Sequence, residues 1–476
     1  MRCSAHPLKV MGPIFSTLLG VGQVQAGDAV AVRQPNVVVI LTDDQGFADL
    51  GAQGILKDIQ TPNIDRLARE GVRFTHGYST APVCGPSRAG LLSGQYQERF
   101  GVYDNADLPF NYKGPSLPQR LRASGYRTGM VGKLHLPING DNGDNPKSWG
   151  FDEFFMKHGD FVNAPKRILA THSLTGEFFP EAKWIEVEGY RTDNHTEAAL
   201  QFIDRNKAEP FFLYLAYLAP HTPLEAPQKY LDRFPDAKPE ARRYALAMIS
   251  AIDDGVGRIT DRLKALELDE NTLIFFVSDN GAPLKCRDRN LPVSQLNLSE
   301  WNGSLNTPMT GEKVMLAEGG VHVPFIACWP KVIPAGQVIG TPVITLDIAA
   351  TALTLAGSDT QSLDGVNLMP LLTGRTNELP REYLFWAFGG QSVVRKGNWK
   401  MITTQTSGDF LFSLADDLSE KRNRTGEYPE VAAELKAELA KWQAGCGARK
   451  PVRPAQLELE TRLYRDYFET LIERQK

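Results

Sequence analysis

The sequence is poor in cysteine, with five in 476 residues, which excludes a scaffold stapled by disulfides. It has no block of one charge sign. Lys and Arg number 52 against 56 Asp and Glu, a formal net charge of −4, so a nucleic-acid binder built on a broad basic face is excluded. No apolar run is long enough to span a membrane, and no internal repeat or low-complexity tract is visible. What is present is 42% hydrophobic and 23% charged residues, the proportions of a folded chain rather than a disordered, collagen-like or coiled-coil one. The length suits one large α/β domain and a smaller one around a sizeable buried core.

The first residues read as an address. Arg2 and Lys9 precede an apolar stretch, Val10 to Val24, that ends in Val24-Gln25-Ala26 before Gly27. A basic start, an apolar middle and small residues at a cut site describe a secretory signal peptide over residues 1–26, and hence an exported protein, periplasmic or secreted. Cleavage there removes Cys3 and leaves Cys84, Cys286, Cys328 and Cys446.

Beyond it, short apolar runs alternate with helical patterns, the signature of strand–helix units around a large, mostly parallel sheet. The clearest strands are Val37 to Leu41, Arg127 to Val131, Phe211 to Leu218, Leu273 to Val277 and Val323 to Trp329. Helices are expected over Pro62 to Glu70 with Thr61 as cap, Thr196 to Asn206, Arg242 to Leu266 and Asp347 to Leu355. Near Pro380 the character changes. Residues 27–379 read as the catalytic domain and 380–476 as a smaller α+β subdomain. The latter has a short antiparallel sheet (Glu382 to Phe388, Ser392 to Arg395, Trp399 to Thr404, Phe410 to Ser413) and a helix from Pro429 to Gln443. A last helix past Pro454 repeats apolar pairs at Leu463/Tyr464, Tyr467/Phe468 and Leu471/Ile472, a docking stripe for the body of the protein.

The informative residues follow the strands. Val37 to Leu41 runs into Thr42-Asp43-Asp44-Gln45-Gly46, and Leu273 to Val277 into Ser278-Asp279-Asn280-Gly281. Arg127 to Val131 runs into Gly132-Lys133-Leu134-His135, and Phe211 to Leu218 into Ala219-Pro220-His221. Open parallel sheets bind ligands beyond the carboxyl ends of their strands, so these residues are expected to form one cluster. Asp43, Asp44, Asp279 and Asn280 are hard oxygen donors that suit Ca²⁺, or less well Mg²⁺, and not Zn²⁺. The most specific segment is Cys84-Gly85-Pro86-Ser87-Arg88, with Gly94 ten residues after the cysteine. Pro86 begins a short helix there, which puts Cys84 at its positive end, a natural anion site.

This segment resembles the motif of the type I sulfatases, formylglycine-dependent members of the alkaline phosphatase superfamily. The likeness extends in order through Asp43-Asp44, Lys133-x-His135, His221, Asp279-Asn280, Lys313 five residues before Glu318-Gly319-Gly320, and Arg395-Lys396-Gly397-Asn398-Trp399-Lys400. Two departures are Leu134 and Pro137 in the Lys-x-His loop, and Val321-His322-Val323-Pro324 after Glu-Gly-Gly, where the family commonly has Arg; His322 is left outside the site.

The resemblance implies that a maturating enzyme converts Cys84 to formylglycine (3-oxoalanine), whose hydrate is the nucleophile. It implies Ca²⁺ held by Asp43, Asp44, Asp279 and Asn280 beside position 84, and Asp279 as base for the attacking hydroxyl. Arg88 would hold the hydrate and the carboxylates, and Lys133 and Lys313 would grip the sulfate. His221, with Lys313 able to share the task, would protonate the leaving alcohol, and His135 would take the proton that lets sulfate depart. His76, His158, His172 and His195 are read as structural. Three other functions stay open on the residues: a phosphonate monoester or phosphodiester hydrolase with the same nucleophile, an inactive carbohydrate-binding protein on this fold, and a plain cysteine hydrolase. The expected substrate is a sulfated carbohydrate, an algal galactan being one candidate. Asn139 to Tyr190 and Ala282 to Glu312 are read as long loops able to reach the rim of the site, and they carry Trp149, Trp184 and Trp301 among polar residues. Trp301 is the candidate sugar platform.

Overall fold

The computed structural model describes residues 34–110, 112–137, 145–157, 167–284 and 301–473, the last five by backbone only. The expected signal peptide, Cys286, His158 and the side chains of Leu471 and Ile472 lie outside the described residues.

Strand β1 (Asn36–Thr42) is buried on both faces, which is why it reads as an unbroken apolar run rather than an alternation. Val37, Val39 and Leu41 enter one core, and Val38 and Ile40 the other. Each such fully buried side chain contributes about 1.5–3 kcal/mol. β1 is the centre of a ten-stranded sheet. Its further strands are β2 (Val72–Phe74), β4 (Arg127–Gly132), β5 (Glu153–Lys157), β6 (Arg167–His172), β7 (Phe178–Glu186), β8 (Phe211–Ala216), β9 (Thr272–Ser278), β10 (Phe325–Cys328) and β11 (Gln337–Ile339), in the order β11-β2-β10-β9-β1-β8-β4-β5-β6-β7. A two-stranded sheet joins β3 (Gly77–Tyr78) to β12 (Val343–Ile344). The four neighbours β9, β1, β8 and β4 are parallel, so their carboxyl ends share one edge. Helices Pro62–Glu70, Arg191–Asn206 and Glu240–Ala265 cover one face. Cys84–Ser93, Leu117–Ala123 and Leu346–Leu355 cover the other.

The stretch from Asn139 to Tyr190 corrects the expectation of a loop. It carries β5, β6 and β7, the last two antiparallel, which extend the sheet outward from β4. Trp149 is fully buried, its Nε1 donating to Leu136 O (3.0 Å) and its ring stacked on Tyr112, so it anchors the core and reaches no rim. Trp184 lies on the outermost strand, 42% exposed. Thr61 does precede the Pro62 helix, but its hydroxyl bonds Asp65 and the Gly51 amide. The helix amides of Asn63 and Ile64 are instead capped by Asp253 from the Glu240–Ala265 helix (3.0 and 2.8 Å).

The C-terminal strands β13 (Tyr383–Phe388), β14 (Gln391–Lys396), β15 (Trp399–Thr404) and β16 (Asp409–Ser413) form the expected antiparallel meander. Helices Pro429–Ala444 and Pro454–Glu473 pack with it. Leu463, Tyr464 and Phe468 are fully buried, as expected of a docking stripe. Their core also takes in Tyr78, Val83, Met315 and Leu316, segments that flank the strand-end cluster.

Glu98, in the turn Gln97–Phe100 that follows the Cys84–Ser93 helix, ties the catalytic body to the C-terminal sheet: it is buried, and its Oε1 accepts from Ala387 N (3.0 Å). Burial pushes its carboxyl up to about 8, against the backbone bonds and Arg449. A folded-state acid with a raised pKa stays protonated while the unfolded chain ionises, so its contribution to stability falls as pH rises through the window from about 4.5 to about 8. Urea denaturation across that window is expected to show this fall in the native sequence and a clearly shallower one in Glu98→Gln.

Candidate active site

The edge shared by β9, β1, β8 and β4 gathers the expected residues. Asp43 and Asp44 leave β1, Asp279 and Asn280 leave β9, Lys133 leaves β4, and His221 follows β8. Opposite them the Cys84–Ser93 helix is buried along its whole length, ending at Gly94 in the left-handed region (φ 69°) that glycine adopts without strain. Its first turn has no side-chain cap of its own. The Gly85 amide donates to Asn105 Oδ1 (3.0 Å), and the His135 backbone lies against Gly85.

Asp43 is the hub. Its Oδ1 accepts from Cys84 Sγ (3.2 Å), and its Oδ2 from Lys133 Nζ (2.7 Å) and Arg88 Nη2 (3.2 Å). Asp44 Oδ2 receives Lys313 Nζ (2.9 Å) with His221 Nε2 at 3.7 Å, and its Oδ1 receives Asn280 Nδ2 (2.6 Å). Arg88, fully buried, ties Asp43 to Asp279 through Nη2 (2.8 Å to Asp279) and Nε (2.9 Å), while Nη1 donates to Lys133 O. Lys313 Nζ also stands 3.6 Å from Cys84 Sγ. His221 Nδ1 contacts Thr222 O (2.5 Å), so the proton on that nitrogen is fixed and Nε2 faces the cluster.

Three cations thus meet three carboxylates. Burial acts to raise the Asp43 carboxyl, but Lys133, His221, Arg88 and Lys313 outweigh it and hold it far below the ordinary range. Asp279 is pushed up to about 6, by burial first and then by the Asp43 charge. Burial, then Asp279 and Asp43, push the Cys84 thiol well above its usual value. An unmodified thiol here is therefore a poor nucleophile, since the thiolate is the reactive form.

The group of potential metal ligands that the structure brings together shares Asp43 and Asp44 with the expected set but has Cys84 and His221 in place of Asp279. One ligand atom each from Asp43, Asp44, Cys84 and His221 lies within 4.8 Å of the others. Asn280 Oδ1 is buried and, among the described residues, accepts no hydrogen bond; an ion would satisfy that acceptor. Trp301 is half-buried, packed on the core with its Nε1 on Ser304 O (2.5 Å).

With that geometry, the comparisons with known proteins are specific. A sulfatase family model matches residues 35–358, and one described as N-sulphoglucosamine sulphohydrolase, C-terminal, matches residues 311–445. The chain belongs to the sulfatase family. The N-acetylgalactosamine-6-sulfatase of Mus musculus is 35% identical over 447 residues, covering 87% of this chain and 80% of that protein. The Sus scrofa enzyme of the same name is 36% identical over 380 residues, 74% of this chain and 69% of that one. The crystal structure of Ps i-CgsB in complex with k-i-k-neocarrahexaose matches with a TM-score of 0.74 at 30% identity, covering 92% of this chain and 100% of that chain. Sulfatases are sulfuric ester hydrolases, and this chain is one by membership.

Several contributors to this sulfatase site were not visible as motifs. Asp44 sits in the left-handed region (φ 63°), and Asn302 Nδ2 holds its carbonyl (3.2 Å). Ser278 Oγ accepts the Gln45 amide (3.0 Å), and Ser304 Oγ the Gly46 amide (2.9 Å). Asn306 bonds Ala282 and Gly311, so it links the Asp279-Asn280 loop to the segment that carries Lys313. The only sequence signal was the polar cluster Asn302-Gly303-Ser304-Leu305-Asn306, which has the composition of any turn.

Removing Arg88 leaves Asp43 and Asp279 without their shared buried guanidinium. Arg88→Ala is expected to cost about 3–5 kcal/mol in urea denaturation. Lys133→Ala, whose side chain is 9% exposed and can be replaced by water, is expected to cost clearly less.

Proposed function

We propose that the protein releases inorganic sulfate from a sulfated carbohydrate with a formylglycine made from Cys84 and a Ca²⁺ held by Asp43, Asp44, Asp279 and Asn280. The observation that carries this is the placement of Cys84 Sγ between Asp43 Oδ1 (3.2 Å) and Lys313 Nζ (3.6 Å), at the head of a buried helix. The upward push on the thiol supports conversion to another nucleophile over a plain cysteine hydrolase. The carbohydrate is supported by the N-acetylgalactosamine-6-sulfatases and the neocarrahexaose-bound structure among the similar proteins.

A formylglycine hydrate supplies one hydroxyl to attack sulfur and a second whose deprotonation expels sulfate, and Ca²⁺ supplies positive charge at the sulfate oxygens. Arg88 fixes Asp43 and Asp279 relative to position 84, and Asp279 receives the proton of the attacking hydroxyl. Lys133 and Lys313, with side chains 9% and 15% exposed, present ammonium groups to the anionic ester and stabilise its charge as the bond breaks. His221 protonates the leaving alcohol oxygen from Nε2, since Nδ1 is engaged by Thr222 O. His135 serves as base for the final proton, and Trp301, half-buried against the core with its Nε1 on Ser304 O, is the candidate contact for a sugar ring.

Three measurements test this. The peptide spanning Cys84 from protein made with a maturating enzyme is expected to carry an aldehyde in place of the thiol, and Cys84→Ala is expected to be folded and inactive. Exhaustive chelation is expected to abolish turnover and Ca²⁺ to restore it; full activity in metal-free protein overturns the ion. A panel of sulfated polysaccharides, their oligosaccharides, aryl sulfates and aryl phosphodiesters is expected to show sulfate release from a sugar. Preference for a phosphodiester would place the chain with the alternative hydrolases, and turnover of aryl sulfates alone would overturn the carbohydrate.

A further inference from the structure

The turn that delivers Lys313 is strained and is held from outside the catalytic body. Gly311 (φ 90°) and Val314 (φ 71°) both lie in the left-handed region, which a β-branched residue such as Val314 resists. Lys313 N donates to Ala282 O (3.2 Å), just past the Asp279-Asn280 pair, and Val314 N to Pro82 O (3.0 Å), just before Cys84. Those two bonds insert the turn between the two loops of the site. Its exit is gripped by a single side chain. Gln391, fully buried at the start of β14, donates from Nε2 to Val314 O (2.9 Å) and accepts at Oε1 from Leu316 N (2.7 Å).

Gln391 is itself seated by the last helix. Tyr464 OH donates to the same Oε1 (2.8 Å). The Tyr464 ring is fully buried and packed in a three-ring cluster with Phe410 and Phe468, centroids 5.9 and 5.5 Å away, so the hydroxyl has little freedom. A chain of direct contacts therefore runs from Tyr464 through Gln391 and the Val314 backbone to Lys313, whose ammonium sits on Asp44 and beside Cys84.

We propose that Gln391, oriented by Tyr464, is a positioning residue for Lys313, so that the C-terminal sheet and final helix set the place of a cation in the active site. The proposal rests on the assignment of Lys313 to the sulfate. Loss of the Gln391 amide leaves Val314 O and Leu316 N buried without that partner and frees the turn to relax from its left-handed residue. The Lys313 ammonium then moves relative to position 84. A displacement near an ångström is enough to lower a rate substantially.

The test is a mutant cycle on the matured, Ca²⁺-loaded protein, with the sulfate ester turned over fastest in the panel above. Gln391→Leu is expected to lower kcat roughly 10- to 100-fold. Tyr464→Phe, which deletes one hydroxyl and keeps the packed ring, is expected to lower kcat by a smaller factor and provides the readout if Gln391→Leu fails to fold. In a Lys313→Ala background both losses are expected to shrink to less than about 2-fold, because a residue that acts through Lys313 has nothing left to position. Undiminished kcat in folded Gln391→Leu and Tyr464→Phe, or losses of the same size with and without Lys313, would overturn the proposal while leaving the role of Lys313 intact. Full activity of Lys313→Ala alone would overturn that role, and the proposal with it.

Discussion

The buried guanidinium of Arg88 is the contact on which the remainder of the site depends. It joins a carboxylate from the end of β1 to one from the end of β9, and it also holds the carbonyl of Lys133 at the end of β4. Each partner comes from a different element and lies 45 to 191 residues from Arg88 in sequence. Three acids and three bases out of water carry a heavy desolvation cost, which is offset only when all the partners are in place. The cluster therefore cannot form piecemeal. The parallel order β9-β1-β8-β4 is what makes it possible, because it brings four carboxyl ends to one edge without any loop having to reach.

A second buried ionic cluster explains why a catalytic sheet carries a small antiparallel sheet behind it. Glu318 follows Lys313 by five residues and is fully buried. Its Oε1 takes Lys400 Nζ (2.8 Å) from β15, and its Oε2 takes Tyr78 OH (2.7 Å) and His322 Nδ1 (2.8 Å). Lys400 also reaches Glu420 (2.9 Å), whose other oxygen accepts the Glu318 amide (2.7 Å). Burial alone would raise both carboxyls. Lys400, helped by His322, draws Glu318 well below its ordinary value, whereas Glu420, beside that retained charge, is pushed up to about 7. His322, which stands where the family commonly has Arg, works here as a bridge from Glu318 to Thr75 O (2.8 Å) and takes no place in the site.

The sheet core and the charged strand ends were legible in the sequence because their signals are local. Apolar runs such as Val37 to Leu41, the Cys84-to-Arg88 segment and the Asp-Asp and Asp-Asn pairs each sit within a few residues. What escaped was non-local or two-sided. β7 reads Phe-Phe-Pro-Glu-Ala-Lys-Trp-Ile-Glu, and its proline and charges suit an edge strand, which a reading based on buried runs passes over. Asn302, Asn306 and Gln391 are ordinary amides in sequence. Their importance comes from the backbone groups that they hold on other segments, Asp44 O, Ala282 O and Val314 O. Trp149 has the composition of a rim residue and the burial of a core one.

A protein of net charge −4 that hydrolyses an anionic sulfate ester would be expected to repel it, and the site shows why the global charge does not decide the matter. Asp43, Asp44 and Asp279 are matched by Arg88, Lys133 and Lys313, so the protein groups of the cluster are close to neutral by themselves. A divalent cation held by this cluster would leave a local excess of two positive charges among buried groups, where each charge acts more strongly than at the surface. The acidic excess is spread over the exterior and is damped within about 8–10 Å at physiological salt. An approaching sulfate group would therefore meet the charge of the cluster and not the mean charge. The singly charged ester would leave part of that excess uncompensated, so the site would hold reserve for the negative charge that builds on the leaving alcohol oxygen and, later, for the second charge sulfate carries as it leaves position 84. Charge balance of this kind would favour the transition states, in which negative charge has built up, over the bound ester, which is the direction catalysis requires.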